Sequence, residues 1–258
     1  MLVNLININK YYNGKHILKN INLTVNEKDR IGLIGINGCG KTTLLRILTG
    51  KELPDRSTEK DGIVSFASKT SVGYLEQMSG LDRDSTVIDE MKSVFSYLDS
   101  VLERMKELEH IMKESSEINE EISEEYSKLS AYYESNDGYT IDVKIKTILN
   151  GMGFSENDYN RIISGFSGGE KTRLAIAKLL LEEPNLLILD EPTNHLDFKT
   201  VLWLEEYLKD YKGVLLIVSH DRYFLDKVVT SVCEIEYGVL TRYKGNYTAY
   251  TLLTAKPK

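Results

Sequence analysis

The sequence predicts a protein of the α/β class, in which helices cover a largely parallel sheet. Two apolar runs, 186–189 and 214–218, are continuous and not alternating, as is typical of strands buried on both faces. A helical stretch over 201–209 lies between them and completes a βαβ unit. A third apolar strand, 31–34, leads directly into a glycine-rich turn. With 258 residues, 41% of them hydrophobic, the chain is long enough for one large domain or two small ones.

The N-terminal segment predicts antiparallel strands. Apolar residues recur over 3–8 with a slip of one position between Leu5 and Ile6, which a bulge would explain. Asn13-Gly14 predicts a hairpin turn, and 17–25 predicts the partner strand. A helix is expected over 42–48. Short strands are expected over 63–66 and 72–75.

Between about 87 and 133 the composition changes, because glycine and proline are absent and glutamate and lysine are frequent. Apolar residues recur there at steps of three or four, in two stripes separated by Ser115-Ser116. The pattern predicts an antiparallel helical hairpin over about 93–135 that ends at 136–138. The alternative is that these helices simply pack on the core and expose a charged face.

The bulk composition restricts the class of protein. The net formal charge is −7, so any binding to nucleic acid would need a local basic patch. Cys39 and Cys233 have no paired spacing, which favours a reducing compartment over a disulfide framework or a zinc site. No apolar run approaches the roughly 18 residues of a membrane span, and the N-terminus has no signal-peptide pattern. We therefore expect a soluble, cytoplasmic protein with no membrane span of its own.

Residues 35–42 read Gly-Ile-Asn-Gly-Cys-Gly-Lys-Thr and match the phosphate-binding motif G-x-x-x-x-G-K-[ST] at every position. Glycines let backbone N–H groups approach phosphates closely, and the following helix directs its positive end at the same anion. Lys41 would bind the β- and γ-phosphates of ATP. The preceding strand and following helix disfavour an accidental glycine loop. The predicted ATP contacts from this segment are Asn37, Gly38, Cys39, Gly40, Lys41, Thr42 and Thr43.

Asp190 and Glu191 end the apolar strand 186–189. Carboxylates at the C-terminal edge of a parallel sheet face the crevice where ligands bind. Asp190 would hold Mg²⁺, with the Thr42 hydroxyl as a second oxygen ligand. Glu191 would act as general base on the attacking water. An acidic pair that merely ends a surface strand is the alternative, and the nearby phosphate motif disfavours it.

Further segments follow the phosphate loop, and residues 166–170 read Phe-Ser-Gly-Gly-Glu. This segment resembles the signature motif L-S-G-G-[QE] of ATP-binding-cassette (ABC) proteins, with Phe166 in place of leucine, and the resemblance extends over nearly the whole chain. Residues 194–197 resemble the D-loop. His220, after a predicted strand, resembles the switch histidine, and Gln77 resembles the Q-loop glutamine.

The resemblance implies that two cassettes associate head to tail and that each nucleotide lies between the P-loop of one and the signature of the other. The signature residues that would act in trans are Ser167, Gly168, Gly169 and Glu170. His220 would contact the γ-phosphate, and Gln77 would reach Mg²⁺ or the attacking water. Tyr12 is the candidate for stacking on adenine, with Tyr11 as its rival. The implied cofactor set is ATP with Mg²⁺.

Three features resemble the soluble F subfamily (ABC-F), whose members act on ribosomes. Residues 191–197 read Glu-Pro-Thr-Asn-His-Leu-Asp, as is typical there, and the predicted hairpin lies where members carry an inserted arm. Residues 243–247 resemble the end of a first cassette. The resemblance implies a P-loop NTPase of the ABC nucleotide-binding type, with an N-terminal antiparallel β subdomain. We expect the ATP-binding core over 1–86 and 166–258 and the helical subdomain over 87–165.

The expected function is ATP hydrolysis at a dimer interface by the N-terminal cassette of a longer protein that acts on the ribosome. Its partners would be a second cassette, rRNA and tRNA, and its role either translation factor or ribosome protection against antibiotics. A native chain that ended at Lys258 would favour a homodimer instead. The main alternative is the nucleotide-binding subunit of a membrane transporter. A cassette of DNA repair is weaker, because the very long coiled coil of that class is absent from the sequence. The glutamate-rich arm argues against direct rRNA contact by this segment.

Overall fold

The computed structural model describes residues 1–75, 81, 84–114 and 120–255. The chain divides into two compact units, one formed by 1–79 with 182–258 and the other by 80–181. The strands are β1 (Val3–Tyr12), β2 (Lys15–Val25), β3 (Arg30–Ile34), β4 (Ile63–Phe66), β5 (Val72–Tyr74), β6 (Leu186–Asp190), β7 (Val214–Val218), β8 (Ser231–Glu236) and β9 (Val239–Lys244). The helices are α1 (Lys41–Leu48), α2 (Val87–Ser93), α3 (Asp99–Glu114), α4 (Glu120–Ser135), α5 (Ile141–Gly151), α6 (Gly168–Glu182), α7 (Phe198–Lys209), α8 (Arg222–Val228) and α9 (Tyr247–Thr254).

The first unit contains a largely parallel sheet with the strand order β5-β6-β7-β3-β8-β9. In this order, the strands from β5 through β3 to β8 pair in parallel with their neighbours. Strand β9 pairs antiparallel with β8 at the edge of the sheet. Every residue of β7 is buried, and β6 is buried up to Asp190. The prediction of an α/β fold with a largely parallel sheet is therefore confirmed. The carboxyl ends of β3, β6 and β7 meet at one sheet edge because these three strands are neighbours and parallel.

A three-stranded antiparallel sheet of order β2-β1-β4 completes the first unit. The predicted bulge is confirmed, since the β1–β2 register shifts between Leu5 and Ile8 and Asn7 has a φ of 48°. Asn13 and Gly14 both have positive φ, at 49° and 78°, as a two-residue type I′ hairpin requires. Two further register shifts lie between Ile8 and Lys10 and between Lys10 and Tyr11. The last one puts Tyr11 and Tyr12 in a new register with β2.

One hydrophobic core joins the two sheets and α1 of the first unit. Leu5, Ile8 and Leu18 from the antiparallel sheet pack in the same cluster as Leu45 of α1 and Ile188 of β6, and all five are fully buried. Burial of such side chains is the main stabilising contribution to a fold of this size. The loop between β3 and α1 therefore packs against this core.

The helical hairpin of the second unit is confirmed as α3 and α4. Leu98, just before α3, packs with Tyr133 near the end of α4, and Arg104 pairs with Glu125, so the helices run antiparallel. The first helix begins at Asp99 and not near 93, because α2 ends at Ser93 and a short 3₁₀ turn over Ser96–Leu98 redirects the chain.

The compact second unit also has wider limits than the predicted 87–165, since it spans 80–181 and includes most of the helix that follows the signature. A buried carboxylate explains the association of that helix. Glu90 of α2 is 3% exposed and accepts a hydrogen bond from Lys178 of α6 at 2.6 Å. Within the described residues, no helix has both the length and the apolarity needed to cross a membrane.

Candidate nucleotide-binding site

The phosphate loop runs from the carboxyl end of β3 to the first turn of α1. Gly35, Gly38 and Gly40 have φ values of 150°, 79° and 110°, a region that side-chain-bearing residues rarely adopt. A Cβ atom at Gly35 would lie 2.5 Å from the Ile235 carbonyl oxygen, and one at Gly40 would lie 2.7 Å from the Leu18 side chain. The loop conformation therefore requires glycine at these two positions for steric reasons.

Lys41 is the first residue of α1, and its side chain folds back along the loop. Its Nζ donates hydrogen bonds to the carbonyl oxygens of Gly35 at 2.7 Å and Ile36 at 3.2 Å. Both acceptors are uncharged, so a phosphate oxygen at the same place would attract the ammonium more strongly. The helix N-terminus adds partial positive charge at this point. The arrangement fits a polyphosphate.

Asp190 lies at the carboxyl end of β6, where it pairs in register with Val218 of β7. Burial raises the pKa of Asp190, and the neighbouring charge of Glu191 raises it further, whereas Lys41 and His220 lower it. The Asp190 carboxylate therefore lies within electrostatic range of the Lys41 ammonium and the His220 imidazole. Asp190 and Thr42 line the same pocket, and such oxygen ligands suit a Mg²⁺ ion that keeps several waters and binds phosphate.

Glu191 is held in a strained conformation with a φ of 50°. Its backbone N–H donates to the Val218 carbonyl at 2.8 Å, and its Oε2 accepts from the backbone N–H of His220 at 3.2 Å. The other carboxylate oxygen, Oε1, is buried and makes no hydrogen bond to any residue that the structure describes. His220 Nε2 lies 3.5 Å from it, too far for a good hydrogen bond. A buried acceptor without a donor suits a water molecule as its partner.

A pocket of about 410 Å³ joins these groups. From the predicted site residues it brings together Tyr12, Asn37, Gly38, Gly40, Lys41, Thr42, Thr43, Asp190, Glu191 and His220. Cys39 belongs to the loop but does not line the pocket, and it packs instead against the hydrophobic core. Gln77 lies outside the described residues. Ile17 and Val218 line the pocket without having been predicted, since single apolar residues in strands give no sequence signal of ligand contact.

The structure distinguishes the two candidate aromatic residues at the end of β1. The Tyr12 ring lines the pocket and is 40% exposed. Tyr11 instead stacks on His16, with ring centroids 4.0 Å apart and an interplanar angle of 12°. Its ring thus already has a partner. The geometry favours Tyr12 as the platform for a base.

The signature segment belongs to the second unit and forms the start of α6. Ser167 and Glu170 cap this helix reciprocally, since the Ser167 N–H donates to Glu170 Oε2 at 2.9 Å and the Glu170 N–H donates to Ser167 Oγ at 3.3 Å. These hydrogen bonds and the Arg161 guanidinium, which is 2.9 Å from Glu170, hold the pKa of the Glu170 carboxyl below its usual range.

Phe166 packs against Arg161, the residue that contacts Glu170 of this helix cap. The Arg161 guanidinium lies over the Phe166 ring at 4.3 Å from its centroid, and Phe166 stacks on Phe154 at 5.9 Å. An aromatic residue in place of the expected leucine therefore adds a cation–π contact. Gly168 and Gly169 begin the helix with no side chain to shield its N-terminus, as anion binding at a helix end requires.

Comparison with known proteins gives a family model that matches residues 18–194 and is described as "ABC transporter". The putative ATP-binding protein YdiF of Bacillus subtilis is 45% identical over 97% of this chain and 38% of its own length. ABC transporter F family member 5 of Arabidopsis thaliana is 35% identical over 98% of this chain and 37% of its own length. The energy-dependent translational throttle protein EttA of Haemophilus influenzae is 35% identical over 92% of this chain and 41% of its own length. The resemblance to the F subfamily is confirmed, and the chain spans about two fifths of the length of these relatives.

Among solved structures, the ATP-binding subunit of an ABC transporter superposes with a TM-score of 0.68 at 19% identity. The match covers 95% of this chain and 90% of that one. At this identity the likeness establishes the fold alone. It confirms the predicted fold class over nearly the whole chain.

Proposed function

Since this chain belongs to the ABC transporter family, a family of ATPase domains, we propose that it binds Mg-ATP in the pocket at the phosphate loop and hydrolyses it when a second cassette completes the site. The observation that carries the proposal is the pocket itself. A glycine-rich loop with Lys41, a pair of carboxylates and a histidine line one space of about 410 Å³, which supports the proposal. Within this space, Glu191 Oε1 is buried and has no hydrogen-bond partner among the residues that the structure describes, which suits an attacking water.

In the proposed reaction, the chain contributes position and charge more than covalent chemistry. Lys41 leaves the Gly35 and Ile36 carbonyls and binds the β- and γ-phosphates. Thr42 and Asp190 would hold Mg²⁺, which neutralises phosphate charge when it is bound. Glu191 accepts a proton from the attacking water at Oε1. His220 then orients the γ-phosphate from the end of β7.

The second cassette is needed because the signature residues would act on a nucleotide held by another P-loop. Ser167 and the two glycines at the start of α6 would offer N–H groups and a helix N-terminus to the γ-phosphate of the partner cassette. The Ser167–Glu170 cap and the Arg161 contact support this, since they fix the loop before any anion arrives. One copy of the chain would therefore hold half of each composite site.

We further propose that the cassette is the first of two in an ABC-F protein that acts on the ribosome. The proposal is supported by the F family relatives, of which one is called a translational throttle protein, and by the presence of the helical hairpin α3–α4 that the resemblance implies. It is also supported by the chain's span of about two fifths of those relatives. Both translation and ribosome protection against antibiotics agree with these observations.

The test uses the full-length gene product with Glu191→Gln, tagged and captured from lysate in excess ATP. Slowed hydrolysis should hold the closed form, so ribosomal subunits should co-purify. Their yield should fall in the Glu191→Gln/Lys41→Ala double variant, which binds nucleotide more weakly, and the fall should be largest when ATP is limiting. Glu27→Gln, an exposed carboxylate in the same unit, serves as the matched control. Capture of an integral membrane protein without ribosomes would instead establish the transporter alternative. Capture of neither would overturn the ribosomal proposal and leave ATP binding to be measured separately.

A further inference from the structure

Glu52 contacts the ring that the pocket offers to a nucleotide base, although it does not line that pocket itself. The Tyr12 hydroxyl donates a hydrogen bond to Glu52 Oε1. Glu52 lies in the segment just after α1, forty residues from Tyr12 in the sequence. Burial and this hydrogen bond raise the pKa of the Tyr12 hydroxyl, so the phenol stays protonated and remains a donor. The ring is therefore fastened at its far end to a carboxylate outside the pocket.

Lys10 contacts the same carboxylate oxygen of Glu52 as the Tyr12 hydroxyl does. Its Nζ lies 3.2 Å from Glu52 Oε1, and the two side chains are 13% and 18% exposed. The same ammonium donates to the Leu53 carbonyl oxygen at 2.8 Å. It also lies 5.7 Å from the centroid of the Tyr12 ring, so it covers part of one ring face. Because this pair is largely shielded from water, its geometry is better defined than that of an ordinary surface ion pair.

The contacts of Glu52 extend to the helix that begins at the phosphate loop. The backbone N–H of Glu52 donates to the carbonyl oxygen of Arg46 in α1 at 3.2 Å. The orientation of the Tyr12 ring is thus tied to the helix that also carries Lys41 and Thr42. A base and its phosphates are joined covalently in one nucleotide. A fixed relation between the ring and the phosphate loop therefore lowers the entropy cost of binding both ends together.

We propose that Glu52 is a positioning residue for the base of the nucleotide: it fixes the plane of Tyr12 relative to the phosphate loop and does not touch the ligand. This inference rests on the proposed function, because it takes the pocket to be a site for a nucleoside triphosphate. A positioning role makes a distinctive prediction. Loss of Glu52 should weaken ligands that carry a base and leave a bare polyphosphate unaffected.

The experiment measures affinity for Mg-ATP and for inorganic tripolyphosphate by calorimetry on the full-length protein. Glu52→Ala should weaken ATP binding by about three- to tenfold, through lost preorganisation, and leave tripolyphosphate within about twofold. Glu52→Gln keeps an oxygen acceptor for the Tyr12 hydroxyl but loses the ion pair with Lys10, so it should recover part of the loss. Glu59→Gln, an exposed carboxylate nearby in the sequence, is the matched control and should match the wild type.

The decisive variant is Tyr12→Ala, because a residue that acts through Tyr12 has nothing to position once the ring is removed. Adding Glu52→Ala to Tyr12→Ala should cause no further loss of ATP affinity. Equal losses for ATP and tripolyphosphate in Glu52→Ala would overturn the inference and indicate a role in loop architecture. An additive double variant would overturn it as well. If the wild type bound neither ligand, the proposed nucleotide site itself would fail, which is a different outcome.

Discussion

The pocket at the phosphate loop and the hairpin of α3 and α4 differ in how their charged groups are held. In the pocket, Asp190 and Glu191 are fixed by backbone hydrogen bonds and strand pairing at the end of a buried strand. In the hairpin, Arg104 and Glu125 are each 44% exposed and are held mainly by each other. Charges in the pocket therefore have a defined geometry before any ligand binds, as catalysis by positioning requires.

The distribution of net charge sharpens this contrast. Residues 99–135 contain eleven acidic and four basic side chains, so this hairpin accounts for the whole formal charge of −7. The rest of the chain is balanced. A segment of this charge would repel the phosphates of rRNA and suits a basic protein surface better. The pocket can therefore select a ligand through the fixed positions of its charged groups. The hairpin can select a partner only through its net charge and its shape.

The largest effect should come from Glu191→Gln in the full-length protein. The amide cannot accept the proton of the attacking water, so hydrolysis should slow by about 10²- to 10⁴-fold while ATP affinity stays within a few-fold. Phosphate release and equilibrium ATP binding measure the two quantities separately. The exposed Glu27→Gln should leave both unchanged. Retained turnover in Glu191→Gln would show that another group is the general base.

Lys41→Ala should have the next largest effect, and it acts on binding. Removing a charged donor from the phosphate loop should weaken ATP by about 10- to 100-fold, as expected for a charge-assisted hydrogen bond. Calorimetry with ATP measures the loss directly. Lys60→Ala, which removes an exposed cation from the same unit, is the control. Unchanged affinity in Lys41→Ala would show that the loop binds phosphate through its backbone alone.

Much of the pocket is predictable from the sequence because its geometry is local. The loop at 35–42 needs glycines where φ is positive and a helix immediately afterwards, and both requirements are visible in consecutive residues. The pair at 190–191 follows an apolar run, which already places it at a sheet edge. The parallel sheet is also predictable, because the continuous apolar runs of its strands are visible in consecutive residues.

Other features depend on distant contacts and leave no local signal. The choice between Tyr11 and Tyr12 depends on the pairing with β2 after Lys10, where an extra residue of β2 shifts the register and Tyr11 pairs with His16, on whose ring it stacks. Glu52 meets Tyr12 only in the folded chain. The start of the hairpin at Asp99 depends on a short turn at the end of α2 that periodicity does not show.

A third variant, Lys178→Met, tests the second unit away from both the signature and the hairpin. It would leave the Glu90 carboxylate buried at 3% exposure without its ammonium partner. Breaking a buried pair in this way costs about 3 kcal/mol of folding free energy. Urea unfolding measures the loss, and Glu90→Leu/Lys178→Met should recover most of it, since two apolar side chains need no partner. A single variant as stable as the wild type would show that Glu90 is reached by water.

The smallest effect should come from Arg104→Ala in the hairpin, and this result would complete the contrast. Arg104 contacts Glu125 through Nε at 2.7 Å and Glu107 through NH1 at 2.9 Å, yet all three side chains are well exposed to water. Water and salt screen such pairs, so the urea midpoint should move far less than in Lys178→Met. The difference from the wild type should also shrink further at 1 M salt. A shift as large as that of Lys178→Met would mean that the hairpin depends on its ion pairs as strongly as the second unit depends on the buried Glu90–Lys178 pair, and its charges could then no longer be contrasted with those of the pocket as loosely held.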